Sequence, residues 1–259
     1  MRLEFDVQAL LFLELAFPSS PARIRYNLIR NLLYKAGRAM VWLYARLMLQ
    51  VDVSWHVPLP AGPKLIVANH PSTTDPFYLN LLSSQPMNLL LIEHPFLVPV
   101  FGTYLRWAGH VPVVPGQGRS AFDDAYWLLK KGRTVALFPE GDVSPRRGGL
   151  HPPHTGAARL ALLTGVPIVP VGIYLPLWRC RTIVSHIAGR DYVGYWYVRG
   201  TYSMTVGQAL YGEGDVEDRA GVGRLSNRIM QQIHALALES EWRAKGAVRR
   251  VRRPAPAMD

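Results

Sequence analysis

Two short stretches hold most of the residues able to do chemistry. The first, "VANHPSTTDPFYL" (67–79), sets His70 at the end of an apolar run and Asp75 five positions later. A neutral imidazole can take a proton from a hydroxyl near pH 7 and return it to a leaving group. It does so when a partner holds one ring nitrogen and leaves the other as the base. Asp75 lies within reach of His70 across a tight turn, and Asn69, Ser72, Thr73 and Thr74 supply polar groups to hold that turn. A local reading competes. Asp75-Pro76 is a good helix start with Asp75 as N-cap, and His70 is then a turn residue bonded to a backbone carbonyl.

The second stretch, "FPEGDVSPRRGG" (138–149), ends an apolar strand in a turn. Glu140 at that end either caps backbone amides or binds a polar ligand. Gly141 lets the backbone approach a neighbour closely. Arg146 and Arg147 carry forked donors suited to a phosphate. Taken alone, the stretch reads as a solvated loop with surface arginines.

The elements that must position these residues follow from periodicity. Residues 23–50 form a long helical pattern, with Arg23, Asn27, Arg30, Asn31, Lys35, Arg38 and Arg46 on one half. Ile29, Leu32, Leu33, Ala36, Met40, Leu43 and Leu47 lie on the other. Such a helix lies in a membrane interface or packs on its own domain; its charges argue against a span. Beyond it, apolar runs at 51–57, 64–69, 87–93, 110–114, 134–141 and 166–174 read as strands, that at 110–114 as short or at an edge for its proline. Helices are expected after Asp75 and at 120–132 and 155–165. This alternation predicts an α/β fold with a mainly parallel sheet flanked by helices, preceded by an N-terminal amphipathic, membrane-associating segment. The aromatic, β-branched runs between 181 and 207 are expected to extend the sheet, and 216–246 to close the fold as a helix. The implied organisation is 1–50 membrane-associating, 51–246 the α/β domain, and 247–259 a basic, flexible tail.

The bulk numbers agree. The chain has 259 residues, 49% of them hydrophobic, and a net charge of +11 carried mostly by arginine. That excludes disorder and calls for an anionic partner. The apolar N-terminal segments and the lack of a nucleic-acid motif favour membrane lipids over nucleic acid. The run "ALLFLELAF" is interrupted by Glu14 and is far short of the ~20 residues of a spanning helix. No secretory signal is expected. The single cysteine, Cys180, rules out an intrachain disulfide and a cysteine-based metal site. Between Arg179 and Arg181 it is either a thiol of lowered pKa or an incidental one. No G-x-S-x-G elbow, G-x-G-x-x-G turn or Walker loop occurs.

Taken together the two stretches are far more specific than either alone. "NHPSTTD" fits Asn-His-x-Ser-x-x-Asp, "FPEG" follows about seventy residues later, and "GAARLALLTGVPIVPVGI" (156–173) continues the pattern. Over roughly residues 50–210 the chain resembles the glycerolipid acyltransferases of the 1-acyl-glycerol-3-phosphate O-acyltransferase type. The resemblance implies an enzyme that moves a fatty acyl group from acyl-CoA or acyl-carrier protein to a lysolipid hydroxyl, at the cytoplasmic face of a membrane. His70 would be the base and Asp75 its orienting partner, with Glu140 and Gly141 in the acceptor site. No metal or other cofactor is implied, and no covalent acyl-enzyme.

The departures from the family pattern bear on the acceptor. Asp142-Val143-Ser144 stands where Thr-Arg-Ser is usual, Pro115 lies where an arginine usually ends a strand, and His154 replaces a lysine. Either Arg119, Arg146 and Arg147 supply the missing phosphate ligands, or the acceptor is not a phosphate: a glycolipid, aminolipid or long-chain alcohol. A non-catalytic lipid-binding protein on the same fold is the third possibility. Oligomeric state is not legible.

Overall fold

A computed structural model describes the backbone of residues 21–251 and the side chains of 28–246. The expected features at 1–20 and in the tail beyond 251 lie outside the described residues. Helix α1 (Pro21–Met48) leads into strand β1 (Leu49–Trp55), followed by β2 (Leu65–Ala68) and α2 (Asp75–Leu79). Then come β3 (Met87–Ile92), α3 (Phe101–Trp107), β4 (Val111–Val113), α4 (Gly118–Lys130), β5 (Thr134–Leu137), α5 (Gly156–Thr164) and β6 (Ile168–Tyr174). Strands β7 (Arg181–Ile187), β8 (Arg190–Trp196) and β9 (Gly200–Val206) precede the closing helix α6 (Arg219–Val251).

Seven strands form one sheet in the order β1-β9-β6-β2-β5-β3-β4. Strands β6, β2, β5, β3 and β4 run parallel to one another. The β9 strand joins β6 antiparallel, and β1 pairs with β9 in parallel at the far edge. The proline-bearing β4 is an edge strand, as its composition predicts. β2 and β6 are central, and β2 is buried along its whole length. Leu65 and Val67 join a cluster under α4, α5 and α6, whereas Ile66 and Ala68 join the opposite cluster with Tyr34, Tyr78, Tyr197 and Tyr202. Alternate side chains of one strand thus anchor both layers, which is why the run reads as continuously apolar.

Helix α6 lies directly on β6. An added Cβ at Gly172 would fall 2.0 Å from the Ala237 amide nitrogen, so only glycine permits this approach. Two expectations are corrected. The runs at 181–187 and 190–196 do not extend the main sheet but form a separate antiparallel hairpin, and only β9 is added to it. None of the residues in the two strands is fully buried, since the hairpin pairs only with itself and projects from the main sheet. Helix α3 carries too short an apolar pattern to be read from sequence.

Helix α1 packs on the domain through Tyr34 and Ala45, and Arg30 is buried beside them. Leu32, Met40, Leu43 and Leu47, the apolar half predicted from periodicity, stand in the open. The helix thus turns Arg30 inward and these leucines outward. Among the described residues no helix is long and apolar enough to cross a membrane.

Candidate active site

The site is built at the carboxyl end of β2 and β5, where ligands of open α/β sheets are bound. As the chain leaves β2, buried Asn69 continues the ladder with its side chain. Its amide nitrogen donates to the Ile173 carbonyl at 2.8 Å, and its oxygen accepts the Ile173 N–H at 2.7 Å. His70 therefore starts from a fixed point. Its Nδ1 lies 3.0 Å from Asp75 Oδ2. A carboxylate only accepts, so Nδ1 carries the proton and Nε2 keeps its lone pair. The imidazole stacks on Phe138 with centroids 4.0 Å apart and planes within 14°. The His70 side chain is 16% exposed, which leaves the base reachable.

Asp75 is wholly buried, and four donors surround its carboxylate. Besides His70, it accepts the Ser72 N–H at 2.7 Å, the Ser72 hydroxyl at 2.9 Å and the Tyr202 hydroxyl at 2.9 Å. Burial, then the charge of Asp75, pushes the Tyr202 hydroxyl well above its usual pKa, so it stays a donor. The N-cap of α2 is Thr74, whose hydroxyl bonds Ser72 and the Tyr197 carbonyl and makes no capping bond to the helix; Asp75 is the helix's first residue and points back into the turn. The expected cap is corrected to this: the carboxylate serves the loop behind it.

Glu140, also buried, joins the two stretches. Its Oε1 accepts the His70 N–H at 2.9 Å and the Ser144 hydroxyl at 2.6 Å; Oε2 accepts the His151 N–H at 2.8 Å. The Ser144 N–H returns to the His70 carbonyl at 2.8 Å. Glu140 thus caps backbone amides, and it does so on the catalytic candidate itself. Gly141 has φ +72°, and a Cβ there would lie 2.6 Å from the His154 ring, so glycine is needed both for the turn and for His154 to close on it. Exchanging Glu140 for glutamine must point its NH2 at one of these donors. Glu140→Gln is therefore expected to cost about 1–3 kcal/mol of stability, read from the urea midpoint. An unchanged midpoint would show that the brace does not matter.

The arginines separate. The Arg146 guanidinium lies over the Tyr195 ring at 4.7 Å and donates to the Leu177 carbonyl at 2.5 Å and, at long range, to that of Pro71. Arg147, one position on, is exposed. Arg119 is exposed in the first turn of α4 and pairs with Asp123 of its own helix. The structure thus gathers His70, Asp75, Glu140, Gly141 and Arg146 around one pair of loops, while Arg119 pairs along its own helix beyond the end of β4. Cys180 lies beside Arg146, but burial dominates and pushes its thiol up, against the lowered pKa that the flanking arginines suggest.

Two contributors, Tyr202 and Phe138, have no signal in the local pattern, and for Thr73, expected to hold the turn, the pattern does not give the partner. Tyr202 stands 127 residues from Asp75. Phe138, although inside the quoted stretch, reads as core. Thr73 exchanges two hydrogen bonds of 2.8 Å with the backbone of Tyr195, tying the histidine loop to β8.

Comparison with known proteins adds the following. A family profile described as Acyltransferase matches residues 50–174. A 1-acyl-sn-glycerol-3-phosphate acyltransferase of Pseudomonas aeruginosa is 26% identical over 205 residues, 76% of this chain and 73% of that one. The chloroplastic 1-acyl-sn-glycerol-3-phosphate acyltransferase BAT2 of Brassica napus is 35% identical over 119 residues, 45% of this chain; the match spans only 34% of the plant protein's length. Among solved structures, the 1-acyl-sn-glycerophosphate (LPA) acyltransferase PlsC of Thermotoga maritima superposes with a TM-score of 0.55 at 20% identity, over 87% of each chain. At that identity the likeness speaks for the fold.

Proposed function

Since the chain belongs to the glycerolipid acyltransferase family, we propose that it transfers a fatty acyl group from an acyl thioester to the free hydroxyl of a lysolipid. The default reaction is 1-acyl-glycerol-3-phosphate to phosphatidic acid, with acyl-CoA or acyl-carrier protein as donor. The observation that carries this reading is the His70–Asp75 pair, bonded through Nδ1 at 3.0 Å.

In this mechanism Nε2 of His70 takes the proton of the acceptor hydroxyl as its oxygen attacks the thioester carbonyl. The resulting imidazolium is held by Asp75. The tetrahedral intermediate collapses, the C–S bond breaks, and the imidazolium returns the proton to the leaving thiolate. The acyl group moves directly from sulfur to oxygen. Glu140 acts through His70, by fixing its backbone, and Gly141 shapes the turn of the acceptor site.

The exposed leucine face of α1 supports attachment to the leaflet that supplies the lysolipid, on the cytoplasmic side where acyl thioesters are found. For the acceptor phosphate, Arg147 is the best-placed arginine: it follows the Glu140 loop and is exposed, whereas Arg146 is engaged and Arg119 lies on another helix. Val143 stands in the place of the usual arginine, and exposed Asp142 beside it would repel a phosphate, which favours a second reading with an uncharged acceptor. A panel of lysophosphatidic acid, lysoglycolipid, aminolipid and long-chain alcohol separates the two. Turnover with lysophosphatidic acid, and a rise in its KM in Arg147→Ala of about ten-fold, the order of one charge-assisted bond, is the expected result. Turnover confined to uncharged acceptors would replace the first reading by the second.

A further inference from the structure

The edge of the sheet that carries His70 is ringed by apolar side chains that no part of the described chain covers. Leu97 and Val100 follow the end of β3, Trp178 follows the end of β6, and the β7–β8 hairpin projects before β9 re-enters at Gly200. In the hairpin Val184 and Val193 are directly opposite each other, so they share a face. They are 61% and 58% exposed, and Trp178 and Val100 are each 84% exposed. Val100 also has φ +65°, a region that a β-branched residue rarely enters. A valine is thus held out into the solvent in a strained conformation.

The hairpin is held to the domain through β8, at Tyr195 near its base and at Tyr192 nearer its turn. Thr73 pairs with Tyr195, Arg146 lies over the Tyr195 ring, and the Tyr192 ring stacks on His94 at 4.1 Å. An isolated two-stranded ribbon is marginal in water. This one presents a valine pair and adds charge: residues 178–199 contain Arg179, Arg181, Arg190 and Arg199 against Asp191 alone. The end of α1 reaches the same edge, where the Tyr44 hydroxyl donates to the Val198 carbonyl at 2.5 Å and Leu47 is exposed. Exposed apolar side chains with a cationic rim match an anionic lipid leaflet. An acidic carrier protein would satisfy the arginines but leave the valines and Trp178 in water.

We propose that the β7–β8 hairpin and the Leu97–Val100 turn form a second contact with an anionic leaflet, in addition to α1, and seat the mouth of the His70 site at the headgroups. The inference rests on the reading that the substrate is a bilayer lipid, but its test does not depend on turnover. Full-length protein carrying Cys180→Ser and Val184→Cys is labelled at position 184 with an environment-sensitive fluorophore. It is then mixed with phosphatidylcholine vesicles with or without phosphatidylglycerol. The expected result is a blue shift on anionic vesicles only. Trp178→Ala combined with Val193→Asp should weaken vesicle binding about ten-fold or more, while Trp127→Ala on α4 should not. Turnover of a short-chain, water-soluble acceptor should be unchanged in the Trp178/Val193 variant. A fluorophore that stays in water on vesicle-bound protein, or binding unaffected by the paired substitution, would overturn the second contact. A blue shift in a protein without acyltransferase activity would leave the contact standing and remove only the proposed reaction.

Discussion

Replacing His70 by alanine is expected to lower acyl transfer about a hundred- to ten-thousand-fold, the range that a positioned general base supplies. The fold should survive. The His70 side chain is partly exposed and touches the core mainly through its stack on Phe138. Its backbone bonds to Glu140 and Ser144 do not depend on the ring. The loss should therefore appear in kcat, with the acceptor KM and the unfolding midpoint close to those of the unaltered protein. A variant that retains more than a tenth of the activity would remove His70 from the reaction.

Asp75→Asn should cost about two to three orders of magnitude. In the familiar serine-protease triad, a worked case in itself, the corresponding exchange costs about 10,000-fold through the wrong tautomer. Here the geometry softens the outcome. Asparagine can keep its oxygen toward His70 Nδ1 and the Ser72 N–H, and turn its NH2 toward the hydroxyls of Ser72 and Tyr202. Those hydroxyls can rotate to accept. The tautomer then survives, but the negative charge that steadies the imidazolium is gone. Tyr202 is left with a proton that no longer has its acceptor, so a fall in stability should accompany the fall in kcat. In the double variant with His70→Ala the added kinetic loss should be small, because the two residues act as a unit. Comparable kcat in Asp75→Asn and the unaltered protein would show that Asp75 only holds the turn.

How much of this was legible in the sequence depends on how local the determining physics is. The pairing of His70 with Asp75 follows from five-residue spacing across a turn, and the buried strands from their unbroken apolar runs. The proline of β4 calls for a short or an edge strand, and the strand is both. Glu140 was readable as a cap or a ligand, but not which amide it would cap. That amide belongs to His70, brought there by the pairing of β2 with β5. Tyr202 was beyond reach for the same reason: a tyrosine in an alternating strand looks like core until the sheet order sets β9 next to β6. The hairpin departs from expectation because β-branched, aromatic composition signals a strand without saying which sheet it joins. Periodicity divides α1 into a basic half and an apolar half, yet it cannot say which side turns outward. The structure answers that with Leu32, Met40, Leu43 and Leu47 exposed and Arg30 buried. The loop arginines were misleading in a different way. Arg146 and Arg147 are neighbours in sequence, but one is engaged over Tyr195 and the other stands free of the fold.

The central claim is that a hydroxyl activated by His70 attacks the thioester directly. It is tested by mixing stoichiometric protein with acyl-CoA labelled in the acyl chain, first alone and then with lysophosphatidic acid, and following the label within one turnover. The account predicts no label on the protein in the absence of acceptor, and label in phosphatidic acid once acceptor is added, with neither change in His70→Ala. Label that accumulates on the protein before acceptor is added, or that reaches phosphatidic acid in His70→Ala, would contradict it.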